Sequence, residues 1–156
     1  MEQNPESAPI LIEPAEKLIL LVDDDESLLD LMEHVVRKEG FRTDRAADGI
    51  EAIRKVEALN PVLIILDFML PKKGGYEVLR DLQAGGRGQI PVIVLTGRHM
   101  DRKNVEMMRL EPNVREFIEK PLRPAIMASL IHNLLKTRPP DVNRASGRGP
   151  MSGGLI

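Results

Sequence analysis

Cysteine is absent from this chain of 156 residues. That excludes disulfide scaffolds, thiolate zinc or iron–sulfur sites, and any thiol nucleophile. A surplus of positive charge is also missing. With 22 basic and 24 acidic residues the formal net charge is −2, so the bulk field that draws nucleic acid is lacking and direct nucleic-acid binding is not expected. No apolar run approaches the roughly 18 residues of a membrane helix. No basic residue precedes Lys17, where a signal peptide would carry its positive start. These absences describe a chain expected to be cytoplasmic and not inserted in a membrane. Internal repeats are lacking as well, and 42% hydrophobic content over this length suits one buried core.

What charge there is lies unevenly. Residues 1–16 hold Glu2, Glu6, Glu13 and Glu16 with three prolines and no base, and are read as an acidic N-terminal extension. Residues 138–156 are rich in glycine and proline and carry Arg138, Arg144 and Arg148 against Asp141 alone. That stretch has too little apolar surface to offset chain entropy and is expected to be a flexible tail. The domain is placed at 17–137.

Within it, strand and helix patterns alternate. Leu18–Val22, Val62–Leu66 and Val92–Leu95 are unbroken apolar runs, as suits central strands of a parallel sheet covered on both faces. Weaker strands are expected at Arg42–Ala46 and Arg115–Ile118. Helical stripes are predicted from Leu28, Leu31, Met32, Val35 and Val36, ending near Gly40, and from Ile50, Ile53 and Val56 after Asp48, which can cap with Glu51. Further helices are predicted over Tyr76–Leu82 and Met100–Leu110, and from Ile126, Leu130, Ile131 and Leu134. The alternation predicts an α/β fold of flavodoxin-like (βα)5 type, a doubly wound parallel sheet of strand order 2-1-3-4-5.

The strongest strands end in polar residues: Val22 is followed by Asp23 and Asp24, Leu66 by Asp67, Leu95 by Thr96, and the fifth strand runs to Lys120. Ligands of open α/β sheets bind at the carboxyl ends of the strands beside the switch point, and the expected order puts the three aspartates on the two sides of that crevice. Three carboxylates there repel. Mg²⁺ resolves the repulsion, since it takes oxygen ligands, few carboxylates and water. Lys120 and Thr96 supply a point charge and a hydroxyl suited to phosphate oxygens, and Gly97 leaves space for a phosphoryl group. The remaining titratable candidates, His34, His99 and His132, are read as ordinary surface histidines.

The segments LILLVDDDES, VLIILDFMLP, IPVIVLTG and FIEKPL together resemble the motifs of the response-regulator receiver domain of two-component signalling, over about residues 17–137. The resemblance implies a chemotaxis-regulator-like, stand-alone receiver. Asp67 would accept a phosphoryl group from a sensor histidine kinase or a histidine phosphotransfer protein, as a terminal switch or a phosphorelay carrier. It implies that Asp23, Asp24 and Asp67, with the backbone carbonyl of Met69, hold Mg²⁺. It also implies that Thr96 and Lys120 contact the phosphoryl oxygens and that Thr96 and Phe117 form the switch. Pro121 matches a proline whose preceding peptide is usually cis, and Pro71 and Gly75 match the turn after the acceptor strand. Two features depart from the pattern: Glu111, Pro112, Asn113 and Val114 replace the usual small-residue approach to the fifth strand, and Phe117 lacks the hydroxyl of the commoner tyrosine.

Downstream binding is expected through the face of the fourth helix, fifth strand and fifth helix. Arg98, Arg102, Lys103, Arg109, Arg115 and Arg123 there suit an acidic partner or a homodimer. Two other readings compete. One is a phosphorylation-independent docking module of the same fold. The other is a haloacid-dehalogenase-type phosphatase with Asp23 as nucleophile and Ser27 in the next motif position, but it lacks an acidic motif after Lys120. The receiver reading makes the protein a signalling phosphoacceptor, not an enzyme acting on other substrates.

Overall fold

The computed structural model describes residues 16–97 and 100–140. Five strands alternate with five helices: β1 (Leu18–Val22), α1 (Glu26–Lys38), β2 (Arg42–Ala46), α2 (Gly49–Leu59), β3 (Leu63–Asp67), α3 (Gly75–Ala84), β4 (Val92–Thr96), α4 (Arg102–Arg109), β5 (Val114–Glu119) and α5 (Pro124–Leu135). The strands pair in parallel in the order β2-β1-β3-β4-β5. The flavodoxin-like order expected from the alternation is therefore the one observed.

The unbroken apolar strands occupy the centre, with β3 and β4 buried along their whole length. Because side chains alternate along a strand, each central strand feeds two cores. Ile19, Leu21, Leu63, Ile65, Ile93 and Leu95 pack with α1 and α5, while Leu20, Val22, Ile64, Leu66, Val92 and Val94 pack with α2, α3 and Met108 of α4. Each such side chain removed from water contributes roughly 1.5–3 kcal/mol. The edge strands read RTDRA and VREFIE and keep charged residues toward solvent, which discourages pairing with another sheet.

Local signals at the helix starts are met. The Asp25 carboxylate accepts from the Ser27 and Leu28 N–H groups at the start of α1. Asp48 accepts from Glu51 N–H at 2.8 Å, and the Glu51 side chain accepts from Ala47 N–H at 2.9 Å. Each satisfies N–H groups that the helix cannot pair itself. Among the described residues no helix is long and apolar enough to cross a membrane.

Three helix stripes sit differently from the periodic reading. In α1 Leu29 is buried and Leu31 is 39% exposed; in α2 the inward positions are Gly49, Ala52 and Val56, with Ile50 54% exposed; in α5 Met127 is buried and Ile126 exposed. The large apolar residues bias the apparent stripe, whereas close packing selects glycine and alanine where α2 meets its neighbours. Helix α4 is shorter than the expected Met100–Leu110, and β5 is longer than Arg115–Ile118. The unusual approach to β5 takes the form of a bulge. Val92 is opposite Val114 but Ile93 is opposite Glu116, leaving Arg115 as the extra residue. Glu111 and Asn113 before it are buried and bonded to Arg80 and Gln83 of α3.

His132 is not on the surface. It is 7% exposed, its Nδ1 lies 2.7 Å from Thr137 Oγ1 and its Nε2 2.8 Å from Glu39 Oε1, and its ring lies 5.3 Å from that of Phe41. It ties the end of α5 to the end of α1. His132→Ala is expected to lower stability by about 2 kcal/mol, through two lost hydrogen bonds and a cavity; urea unfolding measures it, and an unchanged midpoint would reject the tie. His34 is exposed as expected. His99 and Arg98, the acidic extension apart from Glu16, and the tail beyond Pro140 lie outside the described residues.

Candidate functional site

The polar residues at the strand ends converge. Val22 and Leu66 lie side by side in the β1–β3 register, so the chain leaves both strands at the same level. One carboxylate oxygen each from Asp23, Asp24 and Asp67 lies within 4.8 Å of the others. Asp23 is fully buried, Asp67 is 4% exposed, and Asp24 faces solvent.

The Asp23 carboxylate is held by its own turn. Its N–H donates to Ala46 carbonyl at 3.1 Å, and its Oδ1 accepts from Asp25 N–H at 2.9 Å. Asp25, which the sequence reading left without a role, thus shapes the acidic turn while its side chain caps α1. Among the described residues the Asp23 Oδ2 is buried with no hydrogen-bond partner, and Lys120 Nζ faces it as an ion pair at 3.2 Å. Lys120 Nζ also lies 3.3 Å from Asp67 Oδ1.

Lys120 reaches the site from the end of β5. Its N–H donates to the Thr96 carbonyl at 2.8 Å, joining the ends of β4 and β5, and the Lys120–Pro121 peptide is cis as the family resemblance implies. Thr96 is 8% exposed at the last position of β4, one residue past the Leu95 that pairs with Asp67. Beside it, a Cβ on Gly97 would meet nothing within 4 Å among the described residues. Phe117 stands apart from the acids, half-buried on β5 opposite Val94, with the Arg109 guanidinium 5.0 Å over its ring.

The loop after β3 closes the other side. Gly75 N–H donates to Phe68 carbonyl at 3.0 Å. A Cβ at Gly75 would lie 2.8 Å from Phe68 Cα and 3.1 Å from the Asp67 carbonyl oxygen, so only glycine allows this approach. Met69 is 70% exposed at the rim. A cleft of about 440 Å³ opens there beside Asp24, lined by Phe68, Met69, Leu70, Pro71 and Tyr76.

Three carboxylates against one ammonium leave the site negative. Burial, and then the nearby Asp23 charge, push the Asp67 carboxyl up from 3.8 to about 6, against the pull of Lys120 and the Met69 N–H. Burial alone would lower the Lys120 ammonium, but Asp67 and Asp23 hold it above its ordinary value. A hard divalent cation fits this donor set. All the side-chain donors are oxygens, the buried Asp23 Oδ2 meets Lys120 as an ion pair but has no hydrogen bond among the described residues, and Asp24 is open to water.

A family model described as response regulator receiver domain matches residues 19–132. The chain is 33% identical over 120 residues to the alkaline phosphatase synthesis transcriptional regulatory protein PhoP of Bacillus subtilis (strain 168), covering 77% of this chain and 49% of that protein. It is 36% identical over 118 residues to the DNA-binding response regulator MtrA of Mycobacterium tuberculosis (strain H37Rv), covering 76% and 50%. The chain therefore spans about half the length of these curated relatives. Among solved structures it is similar to a CheY-like receiver domain protein from Methanospirillum hungatei JF-1, with TM-score 0.70, 29% identity, and coverage of 77% of this chain and 94% of that one. It is also similar to the receiver domain of a sensor histidine kinase from Pseudomonas aeruginosa PAO1, with TM-score 0.69, 25% identity, and coverage of 78% and 98%; that structure has a magnesium ion coordinated in its active-site cleft.

Proposed function

Because this chain belongs to the response regulator receiver domain family of two-component signalling, we propose that Asp67 is its phosphoacceptor and that a histidine kinase or histidine phosphotransfer protein is the donor. One observation carries this reading: the Asp23, Asp24 and Asp67 oxygens gather within 4.8 Å, with Lys120 Nζ 3.3 Å from Asp67.

In the transfer, an Asp67 carboxylate oxygen forms the new O–P bond as the P–N bond of phosphohistidine breaks, and the imidazole keeps the electron pair. The nucleophile must be ionised, and Lys120 together with the Met69 N–H favours that form. Mg²⁺, held by Asp23, Asp24, Asp67 and the Met69 carbonyl, would supply charge neutralisation for the transferring phosphoryl group. Lys120 opposes charge on a phosphoryl oxygen, and the Thr96 hydroxyl donates to another. As Thr96 turns toward the phosphoryl group, Phe117 can follow into the space it leaves.

The output is proposed to pass through α4, β5 and α5. Arg102, Lys103, Arg109, Arg115 and Arg123 are exposed there, and Leu110 is 81% exposed among them. Such a face suits an acidic partner surface or a second copy of the chain.

The test is exposure to acetyl phosphate with and without Mg²⁺, read by intact mass and peptide mapping. A Mg²⁺-dependent adduct of one phosphoryl group on Asp67 is expected. An adduct on Asp23 would turn the reading to the phosphatase chemistry, and neither adduct nor Mg²⁺ binding would turn it to a phosphorylation-independent docking module.

A further inference from the structure

We propose that the turn between β2 and α2, at Asp48 and Gly49, is a positioning element of the phosphoryl site: it sets the β3–α3 loop that brings the Met69 backbone to the metal-binding acids. The inference rests on the site reading above and deepens it.

The turn and the end of β2 that leads into it touch both sides of the acid cluster. On one side, Ala46 carbonyl accepts from Asp23 N–H at 3.1 Å. On the other, the turn meets the loop at three consecutive residues. Gly49 N–H points to Pro71 carbonyl at 3.5 Å, Asp48 Oδ2 lies 3.4 Å from Lys72 Nζ, and the Gly49 Cα lies against the Lys73 backbone. A Cβ at Gly49 would sit 2.0 Å from the Lys73 carbonyl oxygen and 2.6 Å from Lys73 Cβ. No side chain fits without displacement of one partner.

Which partner yields decides the consequence. Helix α2 is anchored by Ala52 and Val56, at 0% and 1% exposure, whereas Pro71 and Lys72 are exposed. Lys72 already adopts a φ of 68°, a conformation that non-glycine residues rarely take. The loop is therefore the softer side. Asp48 has two separate duties, since Oδ1 caps α2 through Glu51 N–H at 2.8 Å while Oδ2 faces Lys72. Displacing the loop moves the Met69 backbone, whose N–H favours the ionised Asp67 carboxylate and whose carbonyl is a proposed ligand.

The experiment titrates the full chain with Mg²⁺ by calorimetry and follows its acetyl-phosphate labelling, with urea midpoints alongside. Gly49→Ala is expected to weaken Mg²⁺ binding about tenfold, in the range seen when outer-shell supports of metal ligands are removed. Its labelling is expected to slow at low Mg²⁺ and to recover as Mg²⁺ is raised. A purely structural role would lower the midpoint and leave Mg²⁺ affinity within twofold of wild type, and that result overturns the proposal.

Should Gly49→Ala fail to fold, Lys72→Ala carries the test. Loss of one positive charge would by itself favour binding of a cation, so weaker binding reports lost positioning, and equal or tighter binding overturns it. Wild-type protein that neither binds Mg²⁺ nor labels would overturn the site reading, and this inference with it. Wild-type binding with an indifferent variant overturns the positioning alone.

Discussion

Asp67→Asn is expected to leave the chain without a phosphoryl adduct and, at the same time, to make the metal-free domain more stable. The first effect is complete loss, because the amide has no anionic oxygen to attack phosphorus while its shape still fits the end of β3. The second follows from the electrostatics of the site. Asp67 is buried beside Asp23, and its carboxyl lies at about 6 in the folded protein against an ordinary value of 3.8. A raised folded-state value means that the folded chain binds the proton more tightly than the unfolded chain. The favourable contribution is then fully present below the unfolded value and is lost as pH rises through about 6. Above that pH the wild type carries the whole cost of ionising Asp67.

Asparagine has no such cost, so the variant is expected to gain roughly 1–3 kcal/mol over wild type at pH 7.5 and much less at pH 4.5. Mg²⁺ should shrink the gap by stabilising the wild type through binding to the folded state. Urea unfolding at the two pH values, with chelator and with Mg²⁺, measures this. A variant no more stable than wild type at pH 7.5 in chelator would show that Asp67 is not strained by its neighbours, and a persisting adduct would show that another residue is the acceptor.

Lys120→Met is expected to act in the opposite direction. Its ammonium faces two buried carboxylates, Asp23 at 3.2 Å and Asp67 at 3.3 Å, while part of its own side chain remains open to water. Methionine keeps much of the aliphatic stem and removes the charge, leaving both carboxylates without their cation. Removing one partner of a buried pair costs about 3–5 kcal/mol, and the value here is expected near 3 in metal-free buffer because Asp24 opens the site to solvent. The deficit should narrow as pH falls toward 5, since Asp67 then takes up its proton, and narrow again when Mg²⁺ is added. A variant as stable as wild type in chelator at pH 7.5 would mean that Lys120 does not balance the acids. Combining Lys120→Met with Asp67→Asn should recover part of the loss, because the two residues are in contact and their effects do not add.

Much of the site is legible along the chain because each of its residues follows a signal that is local. An apolar run long enough for a buried strand has to stop, and where it stops at Asp23, Asp67 or Thr96 the polar residue lies at a strand end whatever the rest of the fold does. The helix caps at Asp25 and Asp48 are local for the same reason, as they serve N–H groups only two or three residues away. The sequence places His132 on the surface because its partners Glu39 and Phe41 lie more than ninety positions earlier, and no periodicity reports them. Size and apolarity alone place Ile50 in the core, yet the inward positions of α2 are Gly49, Ala52 and Val56, and at Gly49 the neighbouring loop comes too close for any side chain.

The sequence by itself determined the alternation of elements, the apolar strands that must lie inside, and the polar residues that end them, because these depend on side-chain size and solubility at short range. Only the tertiary structure decided the distances, which bring three like charges within 4.8 Å and set a lysine from the far end of the domain 3.2 and 3.3 Å from two of them as their counter-charge. Only the tertiary structure decided that a glycine on α2 rests against the loop after Asp67. The physical reason is the same in both cases. Coulomb repulsion and steric contact depend on distances through space, and those are set when the strands pair and the helices pack, not by the order of residues along the chain.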